Sequence, residues 1–280
     1  MYLACDSLDE RIDRSMNVYK RILPLILVLV MLCSSSALAG SKKDNTPVAR
    51  QITTDIVRDI PETIQQVLDL AYEQLIETDA AELKKKNKYT EWRNQYEYGW
   101  CGGFITWCML QLEVPQEVKN KIKKGEVEGL FHVKEAGVGK MYTGYENMNR
   151  ITRVPQKGFI AVYGTSKAVK GSGVTPYYHV GLVYDVEKLS DDVYRITTIE
   201  GNVNYPGDET HKKATHTIRM YTRDYHLNAE KKKDNLTLVP EEERDREESA
   251  VFSYDYTYAN KYLYITIFLM PWIPEEETAV

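Results

Sequence analysis

"YHVGLVYDVEKLSDDVYRITTIEGN", residues 178–202, decides the fold class. Two runs rich in β-branched and aromatic residues flank a short polar stretch, which is the pattern of two strands joined as a hairpin. With residues 187–192 as the connecting loop, Val186 faces Val193. Counting outward from that pair sets His179 opposite Glu200 on one face of the sheet. Asn202, two residues further, shares that face if the strand continues through Gly201. "GFIAVYG" (158–164) and "HTIRMYT" (216–222) have the same make-up, and "YLYITIFLMPW" (262–272) reads as a last strand returning to the sheet. Between them, the highly charged stretch 228–250 reads as a solvated insertion, and residues 275–280 as an acidic tail.

Upstream of the strands the period changes. Ile64, Val67, Leu68, Ala71 and Leu75 form one apolar stripe, predicting a helix from about residue 60 to 77. Asp59, Pro61 and Glu62 read as its capped start. "YGWCGGFITWCML" (98–110) predicts a second helix beginning at Trp100 or Cys101. It is apolar on most sides, so it is a buried central helix. Residues 116–149 read as short helices and loops broken by Gly125, Gly129, Gly137, Gly139 and Gly144. Helices first and an antiparallel sheet afterwards make an α+β domain over residues 59–274.

The N-terminal region carries an export signature. From Met16 the chain has a basic segment with Lys20 and Arg21, then an apolar run from Ile22 to Leu32. Ala37-Leu38-Ala39 follows as a cleavage site, so residues 1–39 read as a signal peptide and 40–58 as a polar linker. The apolar run is shorter than the ~20 residues a bilayer span requires, so no membrane span is expected after cleavage. Secretion or residence in the cell envelope follows. Cys5 and Cys33 are then lost, leaving Cys101 and Cys108. Seven positions apart on a helix, their Cα atoms are separated by about 10.5 Å of rise, beyond the ~7 Å a disulfide tolerates. Both thiols are expected to be free.

A net charge of −5 and a pI near 5.7 exclude the basic footprint of a nucleic-acid binder. The five histidines lack the spacing of a zinc hydrolase, so no metal and no organic cofactor are expected. What remains is thiol chemistry. Cys101 at a helix start sits where the macrodipole and free N–H groups favour an anion. His179 can exchange its proton, and Glu200 or Asn202 can hold the imidazole in the productive tautomer. Backbone N–H groups at the helix start, with Gln95, Trp100 and Gly102, are candidate oxyanion or substrate contacts. The glycines after Cys101 fit close approach of a substrate backbone. Cys108, mid-helix, is core.

"WCGGFITWC", then "HVGLV" about eighty residues later, then "TIEGN", together resemble the CHAP family of cysteine amidases and endopeptidases. "NKYTEW" (87–92) and "VPQKGFIAVYG" (154–164) fit the same layout. The resemblance implies a papain-like domain, with helices packed on a twisted antiparallel sheet, acting on peptidoglycan or a peptide as a monomer. It implies Cys101 as nucleophile, His179 as base, Glu200 as orienting carboxylate and Asn202 as a polar assistant. The two glycines after the cysteine, Phe159 in place of an aspartate, and the charged insertion depart from the family pattern. Two alternatives stand beside it: an NlpC-type endopeptidase, and a catalytically idle surface-binding protein on the same scaffold.

Overall fold

The computed structural model describes residues 48–78, 81–94, 99–112, 130–169, 173–205, 214–244 and 263–274. The expected signal peptide, Gln95, the end of the expected insertion at 245–250 and the expected acidic tail all lie outside the described residues. Residues 48–58 have no regular secondary structure but are tied to the domain. The Arg50 N–H donates to the Ile151 carbonyl, and the Gln156 side chain bonds both Asp55 and Val57.

Helix α1, Glu62–Thr78, buries the whole predicted stripe from Ile64 to Leu75. Its first backbone bonds, from Ile64 and Gln65, go to the Pro61 carbonyl, so Pro61 and not Asp59 is the N-cap residue. A single turn, α2 (Lys88–Glu91), follows the lysine run; Asn87 and Thr90 close a capping box around it. Helix α3, Cys101–Leu110, has Trp100 at its N-cap and ends at Gln111, before Val114 and Pro115. Helix α4, Val138–Asn147, is one of the short helices expected in that region, but two of the glycines read as breakers do not break it. Gly139 and Gly144 lie inside it. A Cβ at Gly144 would stand 2.6 Å from a Val133 methyl, so this glycine permits packing and does not break the helix.

Among the described residues all strands belong to one antiparallel sheet of seven, in the order β1-β7-β2-β3-β4-β5-β6. The strands are β1 (Ile151–Thr152), β2 (Ile160–Val169), β3 (Gly173–Lys188), β4 (Val193–Tyr205), β5 (Ala214–His226), β6 (Leu236–Leu238) and β7 (Leu263–Leu269). Strand β7 returns to the sheet as expected, and it does so between β1 and β2. Part of the charged insertion is not loop. β6 pairs with the end of β5, and the buried Asn235 amide bonds Ile265 of β7 through both its oxygen and its nitrogen. Charged residues beside a short edge strand are what protects an exposed edge from further pairing.

The predicted hairpin register is wrong in detail, and a bulge rescues its consequence. Val186 pairs with Ile196, three residues beyond the expected Val193, because the turn lies further along the chain, with the Leu189 and Ser190 N–H groups donating to the Val193 carbonyl. An odd error would place His179 and Glu200 on opposite faces. A register shift between Val183 and Asp185 removes one residue of it, so Leu182 pairs with Ile199, two beyond the expected Thr197. The remaining offset is even, and His179 and Glu200 keep a common face.

Candidate active site

Helix α3 reaches the sheet because β4 gives way to it. A Cβ on Gly201 would lie 2.7 Å from both the Phe104 Cβ and the Trp100 ring. With glycine there, the helix start sits close over the strand that carries Glu200. Gly102, expected to admit a substrate backbone, instead admits the protein's own. A Cβ there would be 2.4 Å from the Ala136 carbonyl oxygen. Gly102→Ala is therefore expected to destabilise the fold by about 1–3 kcal/mol through overpacking. Gly139→Ala, where a Cβ meets nothing within 4 Å, should gain up to about 1 kcal/mol from helix propensity. Thermal melting of the two variants reads both signs.

Cys101 and Cys108 are both free and buried. Their environments differ. Burial pushes the Cys108 thiol far up, and nothing comparable opposes it. Burial also acts upward on Cys101. There the charge of His179, a hydrogen bond to its ring, and backbone N–H groups of Val180 and Gly102 outweigh it, so this thiol lies below its ordinary value.

His179 on β3 pairs across to Tyr163 on β2, and the two rings stack at 5.7 Å. Its Nε2 is 2.9 Å from Glu200 Oε2. With Nε2 committed to the carboxylate, Nδ1 is the nitrogen left for the thiol. Burial alone would lower the imidazole; Cys101 and Glu200 together raise it, to about 10. Gly181, two residues along the same strand, leaves the room: a Cβ there would lie 2.8 Å from the Glu200 Cγ.

The other oxygen of Glu200 is saturated. Oε1 accepts from Arg223 Nη1 at 2.7 Å, Thr198 Oγ1 at 2.8 Å and Tyr163 Oη at 2.9 Å. Arg223 also donates to Tyr163 Oη at 3.1 Å. Both members of the Arg223–Glu200 ion pair are 1 % exposed. Burial would raise the Glu200 carboxyl, but the Arg223 charge and the bond to His179 hold it well below the usual carboxylate range. One oxygen is thus fixed by three donors, and the second is reserved for the imidazole.

Arg223, Tyr163 and Thr198 were not picked out from the sequence. The signal for Arg223 was available, since a cation inside an apolar strand is costly without a partner. Asn202 stands apart from the cluster. The β4–β5 register shifts between Gly201 and Val203, and Asn202 takes a positive φ of 62° there. Its Oδ1 accepts from His216 Nδ1 at 2.7 Å, and its amide nitrogen packs against Gly99. It braces the turn leading into α3 and is not hydrogen-bonded to His179. Trp100 is buried at the N-cap and stacks on Tyr89 at 5.2 Å.

His132 anchors the same helix from behind. Fully buried, it bonds Thr106 of α3 at 2.9 Å and Tyr145 of α4 at 3.0 Å. Burial lowers its pKa to about 3, so it is neutral at physiological pH. Among the described residues no group of three or more His, Cys, Asp or Glu could hold a metal ion. No helix among them is long and apolar enough to cross a membrane.

Comparison with known families matches residues 91–202 to the model described as CHAP domain. The matched segment runs from α2 through Cys101 and His179 to Asn202. No curated protein and no solved structure gave a significant match.

Proposed function

We propose, on the premise that residues 91–202 of this chain are a CHAP domain, that the protein is an exported cysteine hydrolase cleaving amide bonds of peptidoglycan. The domain has the papain-like arrangement of a helix-borne thiol against a strand-borne imidazole. The observation that carries the reading is the buried series His179, Glu200, Arg223, joined by hydrogen bonds of 2.9 and 2.7 Å, with the Cys101 thiol near enough for the imidazole charge to lower it. A scaffold used only for binding has no need to lower one of two buried thiols and raise the histidine beside it.

In this reading His179 holds the thiol proton as an imidazolium, and the Cys101 thiolate attacks the scissile carbonyl carbon, forming a C–S bond. Backbone N–H groups at the start of α3 receive the oxyanion, aided by the helix dipole. Collapse of the tetrahedral species breaks the C–N bond while His179 gives its proton to the leaving amine. Water, deprotonated by His179, then attacks the thioester and releases the acid and free thiol. Glu200 holds the ring through Nε2 and stabilises the imidazolium throughout, the third-group role of a catalytic triad. The leader read in residues 1–39 fits a substrate outside the cytoplasm.

Digestion of purified peptidoglycan, with products identified by mass spectrometry, tests this. The wild type should release fragments, and Cys101→Ala should lower the rate by about 10³-fold or more. Cys108→Ala should remain active within a few-fold. Equal activity of wild type and Cys101→Ala, or no products from either, would sink the hydrolase reading.

A further inference from the structure

Tyr163 takes no part in the bond changes of the proposed reaction, yet it touches His179, Glu200 and Arg223. Fully buried on β2, it is the direct cross-strand neighbour of His179 on β3. Strand β2 changes register against β7 just before Tyr163 and against β3 just after it. Irregularities of this kind re-aim a side chain. Here the hydroxyl reaches past β3 to β4: Oη donates to Glu200 Oε1 at 2.9 Å and accepts from Arg223 Nη1 at 3.1 Å. That direction is fixed, because a guanidinium has no acceptor and a carboxylate no proton to give. Burial and the Glu200 charge push the phenol up, so it stays a neutral hydroxyl.

The ring acts separately from the hydroxyl. Its plane lies 29° from that of the imidazole with the centroids 5.7 Å apart, an offset stack. The contact between Nε2 and Glu200 fixes one atom of the imidazole, whose ring torsion is otherwise broad. A flat neighbour fixes the plane. The face of an aromatic ring is also negative, so it attracts a cation more than a neutral group, and most strongly where water is excluded. His179 is buried, and it must carry a positive charge beside the Cys101 thiolate. Among the described residues, the charged and titratable groups facing it are Cys101 of α3, Glu200 of β4 and Tyr163 itself. Tyr177, two residues back on β3, stacks on Tyr142 of α4. Arg223 of β5 is a second cation near the Tyr163 ring, 5.5 Å from its centroid, and Glu200 pairs with both cations and offsets their repulsion.

We propose that Tyr163 is a positioning residue of this site: its ring face holds the His179 imidazole in place and favours its charged form, which keeps the Cys101–His179 ion pair intact. The proposal rests on the thiol–imidazole pairing of the hydrolase reading, and it is independent of which substrate is cut.

NMR titration of the histidine rings in the full chain reads this without substrate, with His179 assigned by its loss in His179→Gln. The wild-type ring should give up its proton near pH 10. Tyr163→Phe keeps the ring face and removes only the hydroxyl, so its midpoint should stay within about half a pH unit of the wild type. Phenylalanines carrying one to five fluorines at the same position keep the shape and progressively remove, then reverse, the negative charge of the ring face. The midpoint should fall stepwise along this series, until proton binding by His179 is about tenfold or more weaker than in Tyr163→Phe, which is about one pH unit or more. The alkaline limb of kcat/KM should move in parallel. A purely structural role would lower the melting temperature and leave the midpoint unmoved along the series, which overturns the proposal. So does a fall in Tyr163→Phe as large as that in the most fluorinated ring, since the hydroxyl would then be the acting group. A wild-type His179 that titrates at its ordinary value overturns it as well. If the midpoint shifts as expected but the wild type cuts no peptidoglycan, the positioning role stands and the hydrolase reading falls.

Discussion

Arg223→Met is expected to cost about 3–5 kcal/mol of stability, the largest loss from any single substitution near the site. Methionine nearly matches the volume, so packing is little disturbed, but Glu200 stays behind as a buried carboxylate without its guanidinium. For a domain of this size the loss corresponds to a fall of about 6–20 °C in melting temperature. The sign of the pH dependence follows from the same pair. In the wild type the folded Glu200 carboxyl lies below its unfolded value, chiefly through Arg223 against the opposing effect of burial. Its contribution is therefore complete above the unfolded pKa near 4.3 and is lost as pH falls below it. In Arg223→Met burial prevails, the folded carboxyl moves upward, and protonation relieves the variant. The gap in melting temperature between wild type and variant should thus be widest near neutrality and narrow towards pH 4. Combining Arg223→Met with Glu200→Gln removes both charges and should recover part of the loss. A double variant as unstable as Arg223→Met alone would show that packing, and not an unpaired charge, carries the effect.

That Arg223 escaped notice in the sequence, while Glu200 did not, shows where reading by pattern stops. Glu200 stood out because it closes an apolar strand within a motif. Arg223 lies on the next strand, in "HTIRMYTRDYH", four residues along the same face from Arg219, the residue that faces Glu200 in the register. Which of two arginines crosses to the carboxylate depends on side-chain reach over a twisted sheet, a three-dimensional quantity with no period. The α1 stripe, by contrast, was legible to the residue, because a helix must bury one face and the period records which. The hairpin shows an intermediate case. Face identity survives any even error in register, so the pairing of His179 with Glu200 could be anticipated while the turn length was misjudged. The bulge that made the error even leaves no mark in composition. The unbroken course of helix α4 through Gly139 and Gly144, and strand β6, were hidden for a third reason. Small residues that permit packing resemble breakers, and charged residues that guard an edge resemble a solvated loop.

Hydrolysis should follow a bell-shaped pH profile, and Glu200→Gln should both lower it and shift it. The active form pairs a Cys101 thiolate with a His179 imidazolium. On the acid side activity is lost as the thiolate takes a proton, and because that thiol lies below its ordinary value the limb falls below the usual cysteine range. On the alkaline side activity is lost as the imidazolium gives up its proton, near pH 10. Between the limbs the ion pair is intact, so a broad plateau across neutrality is expected. The Glu200 carboxylate is one of the groups holding the imidazolium up, by its hydrogen bond and its charge. Glutamine keeps an oxygen at only one of the two positions; with that oxygen towards Arg223, Thr198 and Tyr163, its NH2 group meets Nε2, and the charge is gone, leaving burial to act downward on the ring. The alkaline limb should therefore move to lower pH and the plateau narrow. The maximum rate should drop by about 10²–10⁴-fold, the range for losing the charged member of a triad. A simple structural role for Glu200 would lower the amount of folded enzyme without moving either limb. Measuring kcat/KM from pH 4 to 11 for wild type and Glu200→Gln, with the folded fraction checked by melting at each pH, separates the two. A profile of unchanged shape in Glu200→Gln would remove the carboxylate from the catalytic series and leave Cys101 and His179 acting as a dyad.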